Sequence, residues 1–211
     1  SVSHFTIAGE GNVSIRDGDS MLIKASGSTL ETMTDNDLVR CDLDGNALDG
    51  EEKKPSMEVS FHAWILKTFP EINCVCHTHP TNTIKILCSS RIHDFAYRRL
   101  FPDQVVRNGT RSCVVPYATP GLPLREAIKT SIEEFMERYE FFPKLILLNN
   151  HGIITTGASV RECTVSALMC EKSAEIFIGA KLLNNIQFLT PQEVAAVDTN
   201  PSEKYRRELY K

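Results

Sequence analysis

The stretch KLILLNNHGIITTG, residues 144–157, limits the possible folds more than any other segment of the chain. Two mainly apolar runs flank a tight NNHG turn, and this pattern predicts two adjacent strands. Amphipathic helix patterns lie on either side, at residues 123–139 and 159–185, and Ser159 with Glu162 forms a predicted cap for the second helix. A hairpin between two helices favours an α/β protein whose sheet is mixed or largely antiparallel.

The other segments alternate irregularly between strand and helix patterns. Residues 9–14, GEGNVS, read as a glycine-rich turn, and a helix is expected to start at Pro55 or Ser56 and to stop at Pro70. We therefore expect a layered α/β fold with a helix-covered sheet, not a helical bundle or a β-sandwich. Further strands are predicted at 21–27, 37–46, 72–79 and 111–117, and further short helices at 81–89 and 190–198.

Charge and hydropathy exclude several classes of protein. The net charge of −4 does not suit a nucleic-acid or polybasic membrane surface, and no apolar run is long enough to span a bilayer. The first residues show no signal-peptide pattern. The seven cysteines have no C-x-x-C spacing, so we interpret them as reduced thiols and expect a cytoplasmic protein without nucleic-acid or membrane partners.

The segment CVCHTHP, residues 74–80, places two histidines at the end of an apolar run. Residues i and i+2 of a strand face the same side, so His77 and His79 can point at one spot. A metal ion is the commonest reason for this arrangement. An H-x-H pair alone is weak support, because histidines also occur as ordinary hydrogen-bonding residues.

Two further residues complete a candidate divalent-metal site. His151 lies in the turn between two predicted strands, and Glu58 is expected in the first turn of a helix. Three neutral imidazoles favour zinc or a similar divalent ion and leave a position open, as in catalytic sites. The alternative is that Asn-His-Gly merely forms a turn. His62, one helical turn after Glu58, is expected to support that carboxylate rather than bind metal.

The segments GEGNVS and KASG offer backbone N–H groups beside small polar side chains. Such groups can hold a phosphate or sugar hydroxyls, although each segment alone also fits a simple turn. Ser56 has a similar second interpretation as a helix cap. The candidate binding residues are Asn12, Ser14, Ser26, Gly27, Ser28 and Ser56.

Taken in order, GEGNVS, KASG, PSMEVSFH, CHTHP and NNHG resemble the class II aldolase/adducin family. The resemblance covers residues 9 to about 180. It implies one three-layer α/β/α domain over residues 1–211 with a mixed, largely antiparallel central sheet. It also implies a homotetramer with active sites near subunit interfaces, and an enzyme of carbohydrate metabolism.

The resemblance also implies a ligand set and a reaction. Zinc is expected on His77, His79 and His151, with Glu58 approaching the metal and acting as acid and base. The implied reaction is retro-aldol cleavage of a ketose or ketose phosphate through an enediolate. The residues matching the family's phosphate site are Asn12, Ser26, Gly27 and Ser56, and the candidate proton donors are Tyr97, Tyr205 and Tyr210.

The sequence departs from the family pattern and is compatible with other functions. Met57 replaces a usual hydroxyl residue, and KASG replaces a TPSG-like loop, which weakens the expected phosphate pocket.

An epimerase or dehydratase of the same family, or a non-catalytic adducin-like interaction module, are alternatives. A JAMM-type metallo-isopeptidase also contains H-[ST]-H-P, but Cys88 and Arg91 stand here where it needs serine and aspartate.

Overall fold

A computed structural model gives the structure of the protein and describes residues 5–7, 9–48, 50, 52–183 and 185–209. Tyr210, a candidate proton donor, lies outside the described residues. The strands are β1 Asn12–Asp17, β2 Ser20–Lys24, β3 Leu38–Asp42, β4 Cys74–Thr78, β5 Cys113–Val115, β6 Leu145–Leu148 and β7 Gly152–Gly157.

The helices cover both faces of the sheet formed by these strands. Among the described residues, none of them is long and apolar enough to cross a membrane. The helices are α1 Val59–Thr68, α2 Thr81–Leu87, α3 Ile92–Tyr97, α4 Pro102–Asn108, α5 Leu122–Tyr139, α6 Val160–Leu182, α7 Pro191–Thr199 and α8 Pro201–Glu208.

The strands form one seven-stranded sheet in the order β3-β2-β1-β4-β7-β6-β5. Among the described residues, β5 and β6 form the one parallel pair of strands, and all the other pairs are antiparallel. The predicted α/β/α fold with a mixed, largely antiparallel sheet is confirmed. Residues 144–157 form the predicted hairpin, as β6 and β7.

Two hydrophobic cores lie on opposite faces of the sheet. One packs α1 and α5 against the sheet, and its buried side chains include Phe61, Ile65 and Ile128. The other packs α6 with α2 and α3, and includes Phe95 and Phe177. Strands that are buried on both faces read as continuous apolar runs, which explains LILL in β6.

Strand β4 therefore carries different chemistry on its two faces. Val75 belongs to the core under α1 and α5, and the ring of His77 contacts Phe61 of α1 edge-on at 5.8 Å between centroids. Cys74 and Cys76 face the other way, toward α6. This alternation is the period-two geometry of a strand.

Helix α1 starts later than the sequence pattern predicts. The first helical residue is Val59, so Glu58 precedes the helix instead of lying in its first turn. The reason is that Pro55 forms a bridge with Ala25, and the Ser56 N–H donates to the carbonyl of Lys24. These contacts keep the chain extended until the helix begins.

One other expectation differs from the structure. Asn12, predicted in a glycine-rich turn, is the first residue of β1, where it pairs with His77 of β4. The charged tail forms α8 after Asn200, with Pro201 as its first residue. The predicted cap of α6 is confirmed, because the Ser159 side chain accepts a hydrogen bond from the Glu162 N–H.

Glu171 joins α6 to the start of α2, directly after the two histidines. Its carboxylate accepts hydrogen bonds from the N–H groups of Asn82 and Thr83, at 2.9 Å each, and from the Thr83 hydroxyl at 2.8 Å. We predict that Glu171→Ala lowers the free energy of unfolding by about 1.5–3 kcal/mol, because buried donors lose a charged acceptor. Urea unfolding measures this loss.

Glu175→Ala is the matched control, since Glu175 is exposed on the same helix. It should change stability by less than about 0.5 kcal/mol. Equal losses in the two variants would contradict the capping role of Glu171.

Candidate metal centre

Three imidazoles meet at one end of β4 and β7. His77 is in β4, His79 follows it, and His151 directly precedes β7. The ring centroids of His77 lie 4.7 Å from His79 and 4.9 Å from His151, and those of His79 and His151 lie 5.2 Å apart. One nitrogen from each ring lies within 4.8 Å of the other two. The structure thus brings together the three histidines that were predicted to converge.

A backbone contact sets which nitrogen of His77 faces this cluster. Its Nδ1–H donates to the carbonyl of Ile153 at 2.9 Å, so the lone pair of the neutral ring is on Nε2. That Nε2 atom lies 2.9 Å from Nε2 of His79. Two nitrogens bound to one tetrahedral zinc ion would be about 3.3 Å apart, so small shifts accommodate an ion.

The carboxylate of Glu58 closes the cluster on the side of α1. Its Oε2 lies 3.3 Å from Nε2 of His77, and its Oε1 lies 3.5 Å from Nε2 of His151. Oε1 is buried and accepts no hydrogen bond from the described residues. A divalent cation would satisfy this oxygen, so the donor set fits zinc bound by His77, His79, His151 and Glu58.

Burial keeps the imidazoles neutral, which metal binding requires. Desolvation, together with the neighbouring His151, lowers the pKa of His77 to about 3. Desolvation and His77 lower the pKa of His79 to about 4, and desolvation also lowers the pKa of His151. At neutral pH the cluster therefore presents lone pairs and a carboxylate, without protons that would compete with a cation.

Gly152 leaves the space in which two of the imidazoles lie. A Cβ atom at this position would be 2.5 Å from Cδ2 of His79, 2.7 Å from the carbonyl oxygen of Thr78 and 3.1 Å from Cε1 of His77. These distances are shorter than side-chain carbons tolerate. The glycine after His151 is thus required by close approach of the β6–β7 hairpin to the end of β4.

A buried hydrogen-bond chain holds Glu58 from behind. The Asn12 side-chain amide donates to Oε2 of Glu58 at 2.8 Å and to the Ser56 hydroxyl at 3.2 Å. Oδ1 of Asn12 accepts from Nε2–H of His62, whose Nδ1 accepts from the Ser14 hydroxyl at 2.7 Å. His62 is fully buried, and desolvation together with His77 holds its pKa well below the usual value.

This chain agrees with the predicted support role of His62, which reaches Glu58 through Asn12 rather than directly. It also uses both amide hydrogens of Asn12 within the protein. Sequence reasoning missed Glu10, whose Oε2 lies 3.6 Å from Nδ1 of His79. A carboxylate that orients a metal-ligating imidazole is a common outer contact, but a lone glutamate in GEGN gives no sequence signal for it.

The other predicted binding residues, Ser26 and Gly27, lie in a loop beside an open cavity of about 540 Å³. The Ser26 N–H donates to the carbonyl of Lys54, and Gly27 has the positive φ of +84° that favours glycine. Lys24 is buried, and its Nζ donates to the Ser28 carbonyl at 2.6 Å. The cavity is lined by Ala25, Ser26, Gly27, Ser28, Asp37, Lys53 and Lys54.

The contacts of Tyr97 and Tyr205 lie outside the histidine cluster. Tyr97 stacks on His93 and lines a cleft between α3, β5 and α5. Tyr205 lies in α8 and is 67% exposed. Tyr117 lies two residues beyond the end of β5. Because β5 and β6 are parallel, Tyr117 lies at the same end of the sheet as His151, which follows β6. Its side chain is 61% exposed. Sequence reasoning missed this residue.

Comparison with protein families places the chain in one of them. Residues 3–178 match the family described as Class II Aldolase and Adducin N-terminal domain. The protein therefore belongs to the class II aldolase/adducin family, as the order of its motifs predicted.

Individual relatives and solved structures agree with this placement. The chain is 31% identical to 3-oxo-tetronate 4-phosphate decarboxylase of Haemophilus influenzae over 90% of this chain and 86% of that protein. It is 32% identical to L-fuculose phosphate aldolase of the same organism, over 89% and 81%. The crystal structure of YgbL from Escherichia coli is 26% identical, with a TM-score of 0.78 over 93% of this chain and 90% of that one.

The space at Gly152 gives a direct test of the metal centre. We predict that Gly152→Ala weakens zinc binding at least tenfold, because the new Cβ displaces the His79 and His77 rings. Competition with a chelator of known affinity measures the change. Gly179→Ala is the matched control, because a Cβ at Gly179 would meet nothing within 4 Å. Equal zinc affinity in both variants would show that the histidines do not share an ion.

The hydrogen-bond chain behind Glu58 gives a second test. We predict that His62→Leu weakens zinc binding about tenfold, the lower end of the usual effect of an outer contact, because Asn12 no longer holds the carboxylate. His62→Gln should recover most of the affinity, since its side-chain amide can still donate to Asn12. If the two variants are equally impaired at equal stability, the donor on residue 62 has no positioning role.

Proposed function

We propose that the protein is a zinc-dependent class II aldolase that cleaves a carbon–carbon bond of a ketose phosphate and leaves an enediolate. The observation that carries this proposal is the convergence of three neutral imidazoles and Glu58 on one point. Family membership supports the same conclusion. A scaffold protein has no need for four convergent metal-binding side chains, which argues against a purely structural role.

Zinc bound by His77, His79, His151 and Glu58 would act as a Lewis acid toward the negative charge that cleavage leaves on the substrate oxygens. The chain's own contribution is to hold the donor atoms in place. The Ile153 carbonyl orients His77, and the Glu10 carboxylate lies near the far nitrogen of His79. Burial by α1 and β7 lowers the local dielectric, which strengthens these interactions.

Glu58 is assigned the proton transfer at the enediolate. Its Oε2 is held by Asn12, whereas its Oε1 accepts no hydrogen bond from the described residues and could exchange a proton when it does not bind the metal. The carboxylate thus combines a position fixed by Asn12 with one oxygen that can serve either the cation or a proton. General acid–base catalysis of this kind contributes about 10²–10⁴-fold to a rate.

The cavity beside Ser26 and Gly27 is assigned the phosphate of the substrate. The side chains of Lys53 and Lys54 line this cavity and provide hydrogen-bond donors and positive charge. Lys53 is paired with Asp37 at 2.9 Å, so Lys54 is the more available cation. Met57, which replaces a usual hydroxyl residue, is 79% exposed and adds no donor.

The second fragment of an aldol cleavage leaves as an aldehyde, so a group must exchange a proton with its hydroxyl. Tyr97, Tyr205 and Tyr210 remain candidates from the sequence, and Tyr117 joins them because of its place at the edge of the sheet. Phenylalanine substitutions at the four positions identify the donor. The correct variant retains zinc and loses cleavage.

Decarboxylation is the second candidate reaction. The observation that favours it is the 31% identity to 3-oxo-tetronate 4-phosphate decarboxylase over 90% of the chain. Loss of carbon dioxide from a 2-hydroxy-3-oxo acid leaves the same type of enediolate, and Glu58 could protonate it. This reaction releases no aldehyde, so it does not need the tyrosine.

Product analysis decides between the reactions. The zinc-loaded protein is incubated separately with L-fuculose 1-phosphate and with 3-oxo-tetronate 4-phosphate. Aldehyde release supports the aldolase, whereas carbon dioxide release supports the decarboxylase. Inversion at C4 without either product would indicate an epimerase, and inactivity of a fully zinc-loaded protein toward a wider set of ketose and acid phosphates would favour a non-catalytic module.

Glu58 gives the sharpest prediction for catalysis. We expect Glu58→Gln to retain zinc on the three histidines and to lose at least 100-fold in kcat, because the amide cannot exchange a proton. Zinc analysis and steady-state kinetics measure the two effects. Glu71→Gln, at an exposed position, should leave both unchanged. Unchanged turnover in Glu58→Gln would reject the proton-transfer role.

Assembly as a homotetramer, a cytoplasmic location and a single domain over residues 1–211 stay predictions. The first is tested by light scattering of the purified protein.

A further inference from the structure

Three cysteines meet on the face of β4 opposite the histidines. Cys74 and Cys76 come from the strand, and Cys163 comes from the first turn of α6, 89 residues after Cys74. The three sulfur atoms all lie within 4.8 Å of one another. The structure therefore holds a second cluster of metal-binding atoms, which the proposed reaction does not use.

The three sulfurs form a buried and apolar group. Cys74 and Cys163 are fully buried, and Cys76 is 8% exposed. Val13 and Ile15 of β1 pack against the cluster. The Cys163 thiol donates to the carbonyl of Cys74 at 3.5 Å. All three cysteines are thus buried, and Cys76 is the most exposed of them.

The arrangement suits an ion better than a disulfide. The three cysteines are free thiols in the structure. A disulfide needs two sulfurs about 2.05 Å apart and α-carbons closer than about 7 Å. Sulfurs that share one ion lie about 4 Å apart, given metal–sulfur bonds of about 2.3 Å. The observed spacing accommodates this second arrangement.

The ligand count selects the kind of ion. Among the described residues, no imidazole or carboxylate joins the three sulfurs. Zinc in protein sites usually takes four ligands, whereas soft thiolates alone favour copper(I).

From this geometry we infer that Cys74, Cys76 and Cys163 form a binding site for one copper(I) ion. Each sulfur that binds as a thiolate releases its proton to solvent, and the ion does not change oxidation state. Copper would then tie β4 to α6 on one face of the strand, while the histidine cluster occupies the other face. The inference does not depend on the proposed reaction.

Anaerobic copper(I) binding tests the site. The reduced, zinc-loaded protein receives copper(I) in the presence of a weak copper(I) chelator. Zinc keeps the histidines occupied. We expect one copper per chain after desalting, with sulfur-to-copper charge-transfer absorption. Cys163→Ala should weaken copper binding at least tenfold, whereas Cys88→Ala, at an exposed cysteine outside the cluster, should bind as the unchanged protein does.

X-ray absorption at the copper edge of the unchanged protein makes the test independent of whether a variant folds. Only sulfur neighbours would support the inference. Nitrogen neighbours would assign the ion to the histidines and overturn it. Failure to retain copper against the weak chelator, or equal copper affinity in the Cys163→Ala and Cys88→Ala variants, would also overturn it.

Discussion

The antiparallel pairing of β4 with β7 is the constraint on which the metal centre depends. In its register His77 lies opposite Ile154, and the Ile153 carbonyl accepts the hydrogen bond that orients the His77 ring. The same pairing brings Gly152 against His79, where no Cβ fits. One strand pair thus positions three imidazoles from two distant segments, and a shift of one residue would turn them to the other face.

Desolvation decides the charge state around this strand pair. Buried imidazoles lose little by staying neutral, whereas their protonated forms would lose hydration, so their pKa values are lowered. The carboxylate of Glu58 is hydrogen-bonded by Asn12 on one oxygen and accepts no hydrogen bond from the described residues on the other. The result is a donor set that attracts a cation at neutral pH and has a fixed geometry before the cation arrives.

Several parts of this description could be predicted from residues alone. The β6–β7 hairpin, the capped helix α6 and the side-by-side placement of His77 and His79 all follow from local patterns. The predicted start of α1 was wrong because the bridge between Ala25 and Pro55, which delays the helix, joins segments that are distant in the sequence. Strand β1 was not predicted because the glycines before it and its polar residues give no strand pattern. Pairing with β2 and β4 stabilises it.

The sequence by itself determined which residues could bind metal and that strands and helices would form layers, because these properties depend on residue chemistry and short-range periodicity. Only the tertiary structure decided that His62 reaches Glu58 through Asn12, that Glu10 lies beside His79, and that Cys163 joins the two strand cysteines. Each of these contacts joins segments far apart in the chain. Their distances follow from sheet register and helix packing, which no local pattern of residues encodes.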